Sequence, residues 1–212
     1  MTATVIVGGG GHARVVAAVA ARTGRFELVG YTARPGGAGL GHLNLLGDDD
    51  VLPDLARAGT VRCAIPAVGI IDTGPTARVL HERLAATGLE LPPLVSSTAT
   101  VHDDVMLGPG TVVLDGAIVN PGARIGAGCI VNTHATVEHD CRIGDYCHIA
   151  PGAVLCGTVT LGDQVLVGAG ACVVPGIRIP DRTLVAAGAT VIRSPDTAGI
   201  YAGVPAHRIR SR

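Results

Sequence analysis

A period of six residues governs the second half of this 212-residue chain. A branched aliphatic side chain recurs at every sixth position from 95 to 191 without a slip. Six is the period of neither an α-helix nor an alternating strand, so each unit is predicted to hold a short strand and a turn. The seventeen positions are Val95, Val101, Leu107, Val113, Val119, Ile125, Val131, Val137, Ile143, Ile149, Leu155, Leu161, Val167, Val173, Ile179, Val185 and Val191.

Two further sets of residues keep the same period. Small or β-branched residues stand four positions after the aliphatic ones, and glycine recurs three positions after them, as at Gly110 and Gly116. Glycine permits the positive φ that a sharp corner demands. Three faces of six residues make a triangular coil of eighteen, so the segment is predicted to stack a little over five coils through parallel ladders. An aromatic content of 2% suits so thin a core.

This pattern resembles the left-handed parallel β-helix of the hexapeptide-repeat acyltransferases. The period does not set the handedness, so the left hand, a homotrimeric assembly and acetyl-CoA as co-substrate are what the resemblance implies. The alternative is a pure scaffold, a solenoid without chemistry. A scaffold has no need for the polar cluster that interrupts the glycine column between residues 132 and 148, and this cluster favours an enzyme.

Residues 1–94 have a different pattern and are predicted to form an α/β, Rossmann-like domain. Apolar runs that predict strands alternate with runs that predict helices, which implies a small parallel sheet. The predicted strands lie at 4–7, 26–32, 61–68 and 89–95, and the predicted helices at 11–22 and 76–88. We expect the β-helix to occupy residues 95–196, followed by a tail at 197–212 whose YAGVPA segment resembles the end cap of the family.

A glycine-rich turn, Gly8 to Gly11, joins the first predicted strand to the first predicted helix. Backbone N–H groups at the start of a helix can bind a phosphate, and Gly8-x-Gly10-x-x-Ala13 satisfies a loose dinucleotide fingerprint. An NAD site would also need an acidic residue at the end of the second strand, and residues 30–34 contain none. A domain this short has room for half of a dinucleotide fold. A mononucleotide or a nucleotide-linked ligand is therefore favoured.

The string from Gly10 to Val16 resembles the N-terminal motif of the bacterial sugar acetyltransferases related to PglD and NeuD. In that family the small domain binds a UDP-linked amino sugar at the glycine turn. The residues that the resemblance implies as substrate contacts are Gly10, Gly11, His12 and Gly69. The chain departs from the family at Tyr31 and Thr32, where members that use UDP-4-amino sugars tend to have acidic residues.

His139 and the residue that follows it, Asp140, carry the predicted chemistry. Acetyl transfer to an amine or a hydroxyl needs a base for the proton of the nucleophile, and an imidazole suits that role near neutral pH. A neighbouring carboxylate can fix the imidazole tautomer and raise its basicity. The pair also matches the catalytic histidine and acidic residue of the family. His139 is thus predicted as the general base, with Asp140 as its partner.

The resemblance implies a set of acetyl-CoA contacts as well. His148 matches the second histidine of the family, Gly157 matches a glycine that contacts CoA and could steady an oxyanion, and Ala169 is a further candidate. His148 stands nine residues, or one and a half faces, after His139. The two histidines are expected on different sides of one prism, so they could share a site only across a subunit interface.

Charge and composition argue against other classes of protein. The net charge is −1 and Lys and Arg are spread along the chain, so nucleic-acid binding is not expected. The sequence has no signal-peptide pattern and no apolar stretch near the roughly 20 residues that cross a bilayer, so we expect a cytoplasmic protein without membrane insertion. Its six cysteines lack CxxC spacing and are predicted to be small buried side chains, with no metal site.

These observations predict an acetyl-CoA-dependent N-acetyltransferase that acts on the amino group of a nucleotide-linked sugar of the UDP-4-amino-sugar type. The same base and cofactor groove could serve O-acetylation of a sialic acid or another sugar hydroxyl, because both reactions remove a proton from the nucleophile. A non-catalytic, nucleotide-binding solenoid is the third hypothesis.

Overall fold

The computed structural model describes residues 1–34, 36 and 39–211. The N-terminal part is a four-stranded parallel sheet in the order β3-β2-β1-β4, with helices packed on it. Its strands are β1 (Thr2–Val7), β2 (Phe26–Thr32), β3 (Leu45–Gly47) and β4 (Cys63–Pro66). Its helices are α1 (Gly11–Arg22), α2 (Leu52–Arg57) and α3 (Thr76–Ala86), and a 3₁₀ segment spans Asp49–Val51. The predicted α/β domain is confirmed.

The edges of this sheet differ from the sequence-based prediction. The stretch 89–95 adds no strand to it: Glu90 makes an isolated bridge to Cys63, and Pro92 and Pro93 lack the N–H groups that a ladder needs. The fourth strand is β3, which pairs with Tyr31 and Thr32. With three residues, β3 is too short to show a hydrophobic period.

Seventeen two-residue strands follow, one for each aliphatic position of the repeat that the structure describes. They are β5 (Leu94–Val95), β6 (Thr100–Val101), β7 (Met106–Leu107), β8 (Val112–Val113), β9 (Ile118–Val119), β10 (Arg124–Ile125), β11 (Ile130–Val131), β12 (Thr136–Val137), β13 (Arg142–Ile143), β14 (His148–Ile149), β15 (Val154–Leu155), β16 (Thr160–Leu161), β17 (Leu166–Val167), β18 (Cys172–Val173), β19 (Arg178–Ile179), β20 (Leu184–Val185) and β21 (Thr190–Val191).

These strands stack in parallel as three faces, with a register of eighteen residues between neighbouring coils. Each of the three faces is named after the domain that covers it or the side chains that it presents. The covered face contains β5, β8, β11, β14, β17 and β20. The uncharged face contains β6, β9, β12, β15, β18 and β21, and the arginine face contains β7, β10, β13, β16 and β19. The predicted three-sided coil is confirmed.

The second residue of each strand points into the prism, and from Val113 to Val191 these side chains are buried. The first residue points outward and gives each face its character. On the uncharged face these residues are Thr100, Ile118, Thr136, Val154, Cys172 and Thr190, and on the arginine face they are Met106, Arg124, Arg142, Thr160 and Arg178. Eight of the described corners hold a glycine with positive φ, as the repeat predicted.

The N-terminal domain packs on the covered face. Leu94, Val112 and Ile130 point out of the prism and join one buried cluster with Ile65 and Ile70 of the small domain. Arg22 of α1 pairs with Asp115 of a corner at the edge of this contact. The small domain is therefore fixed to one side of the prism and leaves the other two faces open.

The chain ends with β22 (Gly199–Ala202) and β23 (His207–Ser211). Strand β22 continues the covered face in parallel with β20, and β23 returns antiparallel to β22. This hairpin covers the last coil, which would otherwise expose unpaired backbone groups. None of the helices in the described ranges is long and apolar enough to cross a bilayer.

Candidate active site

His139 lies at a corner between the uncharged face and the arginine face, with 59% of its side chain exposed. Its Nδ1 is 2.9 Å from Oδ2 of Asp140. An ionised carboxylate only accepts hydrogen bonds, so Nδ1 carries the proton and Nε2 keeps a lone pair. The corner thus presents a base nitrogen to a surface where a substrate can arrive.

Asp140 can turn towards His139 because its backbone is left-handed, with φ of 60°. His134, Asp140 and Tyr146 occupy three successive corners of a kind that often holds glycine in this repeat, and all three have positive φ. Later corners hold Thr158, Gln164 and Arg182 in the same conformation. Such a conformation is costly for a residue with a side chain. These three consecutive corners lie within the polar cluster that the sequence predicted at residues 132–148, although corners without glycine are not confined to it.

Gly157 lies one coil beyond His139, directly beneath its ring. A Cβ placed on Gly157 would be 2.5 Å from Nε2 of His139. The missing side chain leaves room for the imidazole, and the backbone of Thr158 donates a hydrogen bond to the carbonyl of His139. Gly157 thus belongs to the corner of His139, eighteen residues away, and not to the covered face that holds His148.

His148 occupies a different environment, on the covered face beneath the small domain. Its Nδ1 donates to the carbonyl oxygen of Ile70 at 2.6 Å, and its Nε2 accepts from Nδ2 of Asn132 at 2.9 Å. The backbone N–H of Thr133 donates to Oδ1 of Asn132, which orients the amide. Burial lowers the pKa of His148 and outweighs the hydrogen bond to Ile70, which raises it. The ring is therefore neutral, and both of its nitrogens have a hydrogen-bond partner.

We call the contact between His148 and the small domain the seam. His12 lies on its other side, close to Gly69, whose added Cβ would be 3.5 Å from Cβ of His12. Burial, and next the proximity of His148, lower the pKa of His12 to about 4. Nε2 of His12 is buried and has no hydrogen-bond partner in the part of the chain that the structure describes.

The glycine turn begins α1, with Gly10 as its N-cap and Gly11 as its first residue. Gly10 and Gly11 are exposed, and no side chain caps the first N–H groups of this 12-residue helix. Free N–H groups and the positive end of a helix favour an anion there. The turn is thus suited to a phosphate group, next to His12 and the seam.

A cavity of about 530 Å³ opens on the other side of the glycine turn. Gly8 and Gly9 line it together with Thr32, Asp49 and Arg83. Gly8 and Gly9 allow close packing, because an added Cβ would lie 2.8 Å from the carbonyl oxygen of Ala67 or 2.7 Å from Cβ of Ala33. This cavity is large enough for a nucleoside.

The structure brings the predicted residues into three places. His139, Asp140 and Gly157 share one corner, whereas His148 lies at the seam with the predicted substrate contacts. Ala169 is exposed at a corner between the covered and uncharged faces. The expectation that His139 and His148 lie on different sides of one prism is confirmed.

Sequence reasoning missed Asn132 and Asp49 as site residues. Asn132 begins the polar cluster at 132–148, so its place in the repeat was a usable signal. Asp49 stands in a run of three acidic residues that resembles an ordinary exposed helix start. Nothing local in the sequence links it to the end of β2.

A small nucleotide-type sheet fixed to a hexapeptide prism, with an acid-paired histidine at a corner, defines a class of two-domain sugar acyltransferases. The family described as "PglD N-terminal domain" matches residues 4–73. The family described as "Bacterial transferase hexapeptide (six repeats)" matches residues 98–133 and 122–157. A search of curated protein sequences gave no match.

Several solved structures share both domains. The acetyltransferase domain of PglB from Neisseria gonorrhoeae FA1090, in complex with acetyl coenzyme A, is 32% identical over 98% of this chain and 99% of its own, with a TM-score of 0.90. PerB from Caulobacter crescentus, in complex with CoA and GDP-perosamine, is 34% identical over 98% of this chain and 97% of its own, with a TM-score of 0.89. WeeI from Acinetobacter baumannii AYE, 22% identical with a TM-score of 0.84, shares the fold.

The chain belongs to the hexapeptide-repeat, left-handed β-helix sugar acetyltransferases of the PglD/NeuD type. It is an acetyl-CoA-dependent acetyltransferase, with acetyl-CoA as co-substrate. The similarity to nucleotide-sugar acetyltransferases extends over nearly the whole chain, so it includes the small domain as well as the prism.

Proposed function

We propose that this enzyme N-acetylates the amino group of a nucleotide-linked 4-amino sugar, with His139 as the general base. The observation that carries the proposal is the orientation of His139, whose Nδ1 is held by Asp140 while Nε2 remains free at an exposed corner. Relatives solved with GDP-perosamine include variants of one histidine in a perosamine N-acetyltransferase, which supports a role for histidine in this reaction.

The chemistry needs one proton transfer and no covalent enzyme intermediate. The neutral sugar amine attacks the thioester carbonyl of acetyl-CoA, and Nε2 of His139 takes the proton that the nitrogen loses. The tetrahedral intermediate then collapses, the C–S bond breaks, and the imidazolium returns the proton to the departing CoA sulfur. Asp140 stabilises the imidazolium between these two steps.

We further propose that the enzyme is a homotrimer whose uncharged faces meet at the axis. The small domain occupies the covered face, and the arginine face would place like charges such as Arg124 and Arg142 against one another. The uncharged face carries short neutral side chains, for example Thr136 and Val154. It is the face of the prism best suited to burial against a copy of itself.

This arrangement would complete the active site. His139 lies at one edge of the uncharged face, and Asn132, next to His148, begins the corner at the opposite edge. Around a threefold axis, the His139 corner of one subunit faces the seam edge of the next. Acetyl-CoA would then lie between Gly157 of one subunit and the corner that carries Ala169 in its neighbour. It would thus contact predicted cofactor residues at both edges of the uncharged face.

The nucleotide is an open part of this proposal. The sequence led us to expect a UDP-linked sugar, whereas PerB, 34% identical to this chain, was solved with GDP-perosamine. Both UDP- and GDP-linked 4-amino sugars are therefore the substrates to test first, together with matched sugars that carry a hydroxyl in place of the amine.

The test is an assay of acetyl transfer with wild-type enzyme and His139→Asn. Release of the CoA thiol and an N-acetylated product by mass spectrometry are expected for an amino sugar nucleotide, and little release for its hydroxyl counterpart. The variant should retain its fold, because His139 is exposed, and lose about 10²- to 10⁴-fold in rate. Equal rates for the two proteins would contradict the role of His139, and turnover with the hydroxyl sugar alone would indicate an O-acetyltransferase.

A further inference from the structure

The cavity beside the glycine turn lies at the carboxyl ends of the parallel strands. The strand order β3-β2-β1-β4 reverses between β1 and β4, and in open α/β sheets ligands bind at such a switch point. Gly8 follows β1 and Val68 lies beyond β4, and both line the cavity. A nucleotide whose phosphate contacts the start of α1 would therefore reach this cavity with its ribose and base.

The end of β2 is the place where nucleotide-binding sheets hold ribose. A carboxylate there accepts hydrogen bonds from the ribose hydroxyls. In this chain the position is Thr32, which has no charge, so the sequence lacks the expected acid. The structure supplies one from elsewhere, because Asp49 reaches the end of β2 from the 3₁₀ segment that follows β3.

A chain of short contacts ties Asp49 to the glycine turn. The hydroxyl of Thr32 donates to Oδ1 of Asp49 at 2.7 Å, and Thr32 is completely buried. The backbone N–H of Gly8 donates to the carbonyl oxygen of Thr32 at 2.9 Å. One hydrogen bond uses only part of the acceptor capacity of a carboxylate, so Oδ2 of Asp49 remains available to a ligand.

The charges around the cavity make Asp49 distinctive. Among the described residues that line the cavity, Asp49 is the one acidic side chain, and Arg34 and Arg83 also line it. The neighbouring Asp50 does not line the cavity, and it pairs with Arg83 at 3.1 Å. A nucleotide would thus meet a single carboxylate acceptor, held in place by a buried hydroxyl.

We propose that Asp49 accepts a hydrogen bond from the ribose 2′-hydroxyl of the sugar nucleotide, so the enzyme selects ribonucleoside diphosphate sugars over 2′-deoxyribonucleoside ones. The inference deepens the proposed function and rests on it for the kind of ligand. Thr32 is a positioning residue, since it acts through the carboxylate. The selection does not depend on whether the base is uracil or guanine.

The experiment compares ligands that differ by a single oxygen atom. Dissociation constants for UDP, dUDP, GDP and dGDP are measured by calorimetry without acetyl-CoA, on wild type, Asp49→Asn, Asp49→Ala and the control Asp50→Asn. Wild type should bind each ribonucleotide about ten- to a hundredfold more tightly than its deoxy counterpart, the range for a hydrogen bond to a charged group. Asp49→Ala should abolish that ratio, Asp49→Asn should reduce it, and Asp50→Asn should keep it.

Other results overturn the inference. Equal affinity of wild type for ribo and deoxy ligands would do so, as would a ratio that survives Asp49→Ala, or no binding of any of the four at millimolar concentration. A preference for GDP over UDP that disappears in Asp49→Asn while dGDP binds like GDP would assign the carboxylate to guanine. The binding measurements contain no acetyl-CoA and are therefore independent of catalysis. A ribose preference in a protein that fails to transfer acetyl would contradict the proposed function and leave the role of Asp49 intact.

Discussion

The corner of His139 and the seam of His148 show the same side chain in two opposite environments. At the corner the ring is mostly exposed, one nitrogen is paired with Asp140 and the other is free. At the seam the ring of His148 is enclosed, with one nitrogen bonded to a backbone carbonyl and the other to Asn132. Only the corner leaves an imidazole able to accept a proton from a substrate within one subunit.

The difference teaches that the outward face of the coil decides what a histidine in this repeat can do. His148 takes an outward position that Ile130 and Leu166 occupy in the neighbouring coils, so it is a polar residue in an apolar column covered by the small domain. His139 lies instead in a turn, at a corner between two faces. A covered position favours binding and orientation, whereas a corner gives access.

The largest expected effect concerns the proposed subunit interface, where the His139 corner of one subunit would face the seam of the next. Val154→Arg places a charge at the middle of the uncharged face, and an unpaired charge in an interface costs several kcal/mol. We expect the proposed trimer, with three times the 21.2 kDa of the chain, to dissociate in light-scattering measurements, and acetyl transfer to fall by at least about a hundredfold.

Arg178→Glu is the matched control, because it changes charge on the arginine face and should leave both mass and turnover near wild type. A Val154→Arg protein that remains trimeric and active would exclude the uncharged face as the interface. It would also remove the argument that the two regions form one site.

The second prediction concerns the acid sensitivity of the seam. The folded protein holds the pKa of His12 at about 4, below its usual 6.5, so the unfolded chain takes up a proton first as the pH falls. The free energy of unfolding should therefore decrease between about pH 6.5 and pH 4, by up to about 3 kcal/mol from this residue.

Urea unfolding at a fixed protein concentration, from pH 7.5 to pH 4.5, measures this decrease. His12→Gln should show a shallower decrease than wild type, while His134→Gln, at an exposed corner, should follow wild type. Parallel curves for wild type and His12→Gln would show that His12 is not the source of the acid sensitivity.

The third prediction sharpens the description of the corner. Gly157→Ala would place a methyl group 2.5 Å from Nε2 of His139, so the ring must move. Because a displacement of about 1 Å can cost about a hundredfold in rate, we expect transfer to fall by about ten- to a hundredfold with little change in stability.

A double-mutant cycle checks the cause of this loss. In a His139→Ala background the methyl group has no ring to displace, so Gly157→Ala should change the residual rate very little. The same loss in both backgrounds would mean that Gly157 acts on acetyl-CoA directly and not through the imidazole.

Much of the fold could be predicted because it is encoded locally. Each six-residue unit needs one inward aliphatic, one small residue and one corner, and this requirement repeats from Val95 to Val191. The pairing of His139 with Asp140 was also predictable, because the two residues are adjacent in sequence and meet at a left-handed corner. The short edge strand β3 was not, since three residues carry no period.

By itself, the sequence determined the three-sided coil, the small α/β domain and the pairing of His139 with Asp140, because neighbouring residues and a fixed period specify all three. Only the tertiary structure decided that Asp49 reaches Thr32, that His148 donates to Ile70 and that one face of the prism is covered. These contacts join segments 17 and 78 residues apart. The first depends on how the chain folds back to the end of β2 within the small domain and the second on how the two domains pack, and no local pattern records either.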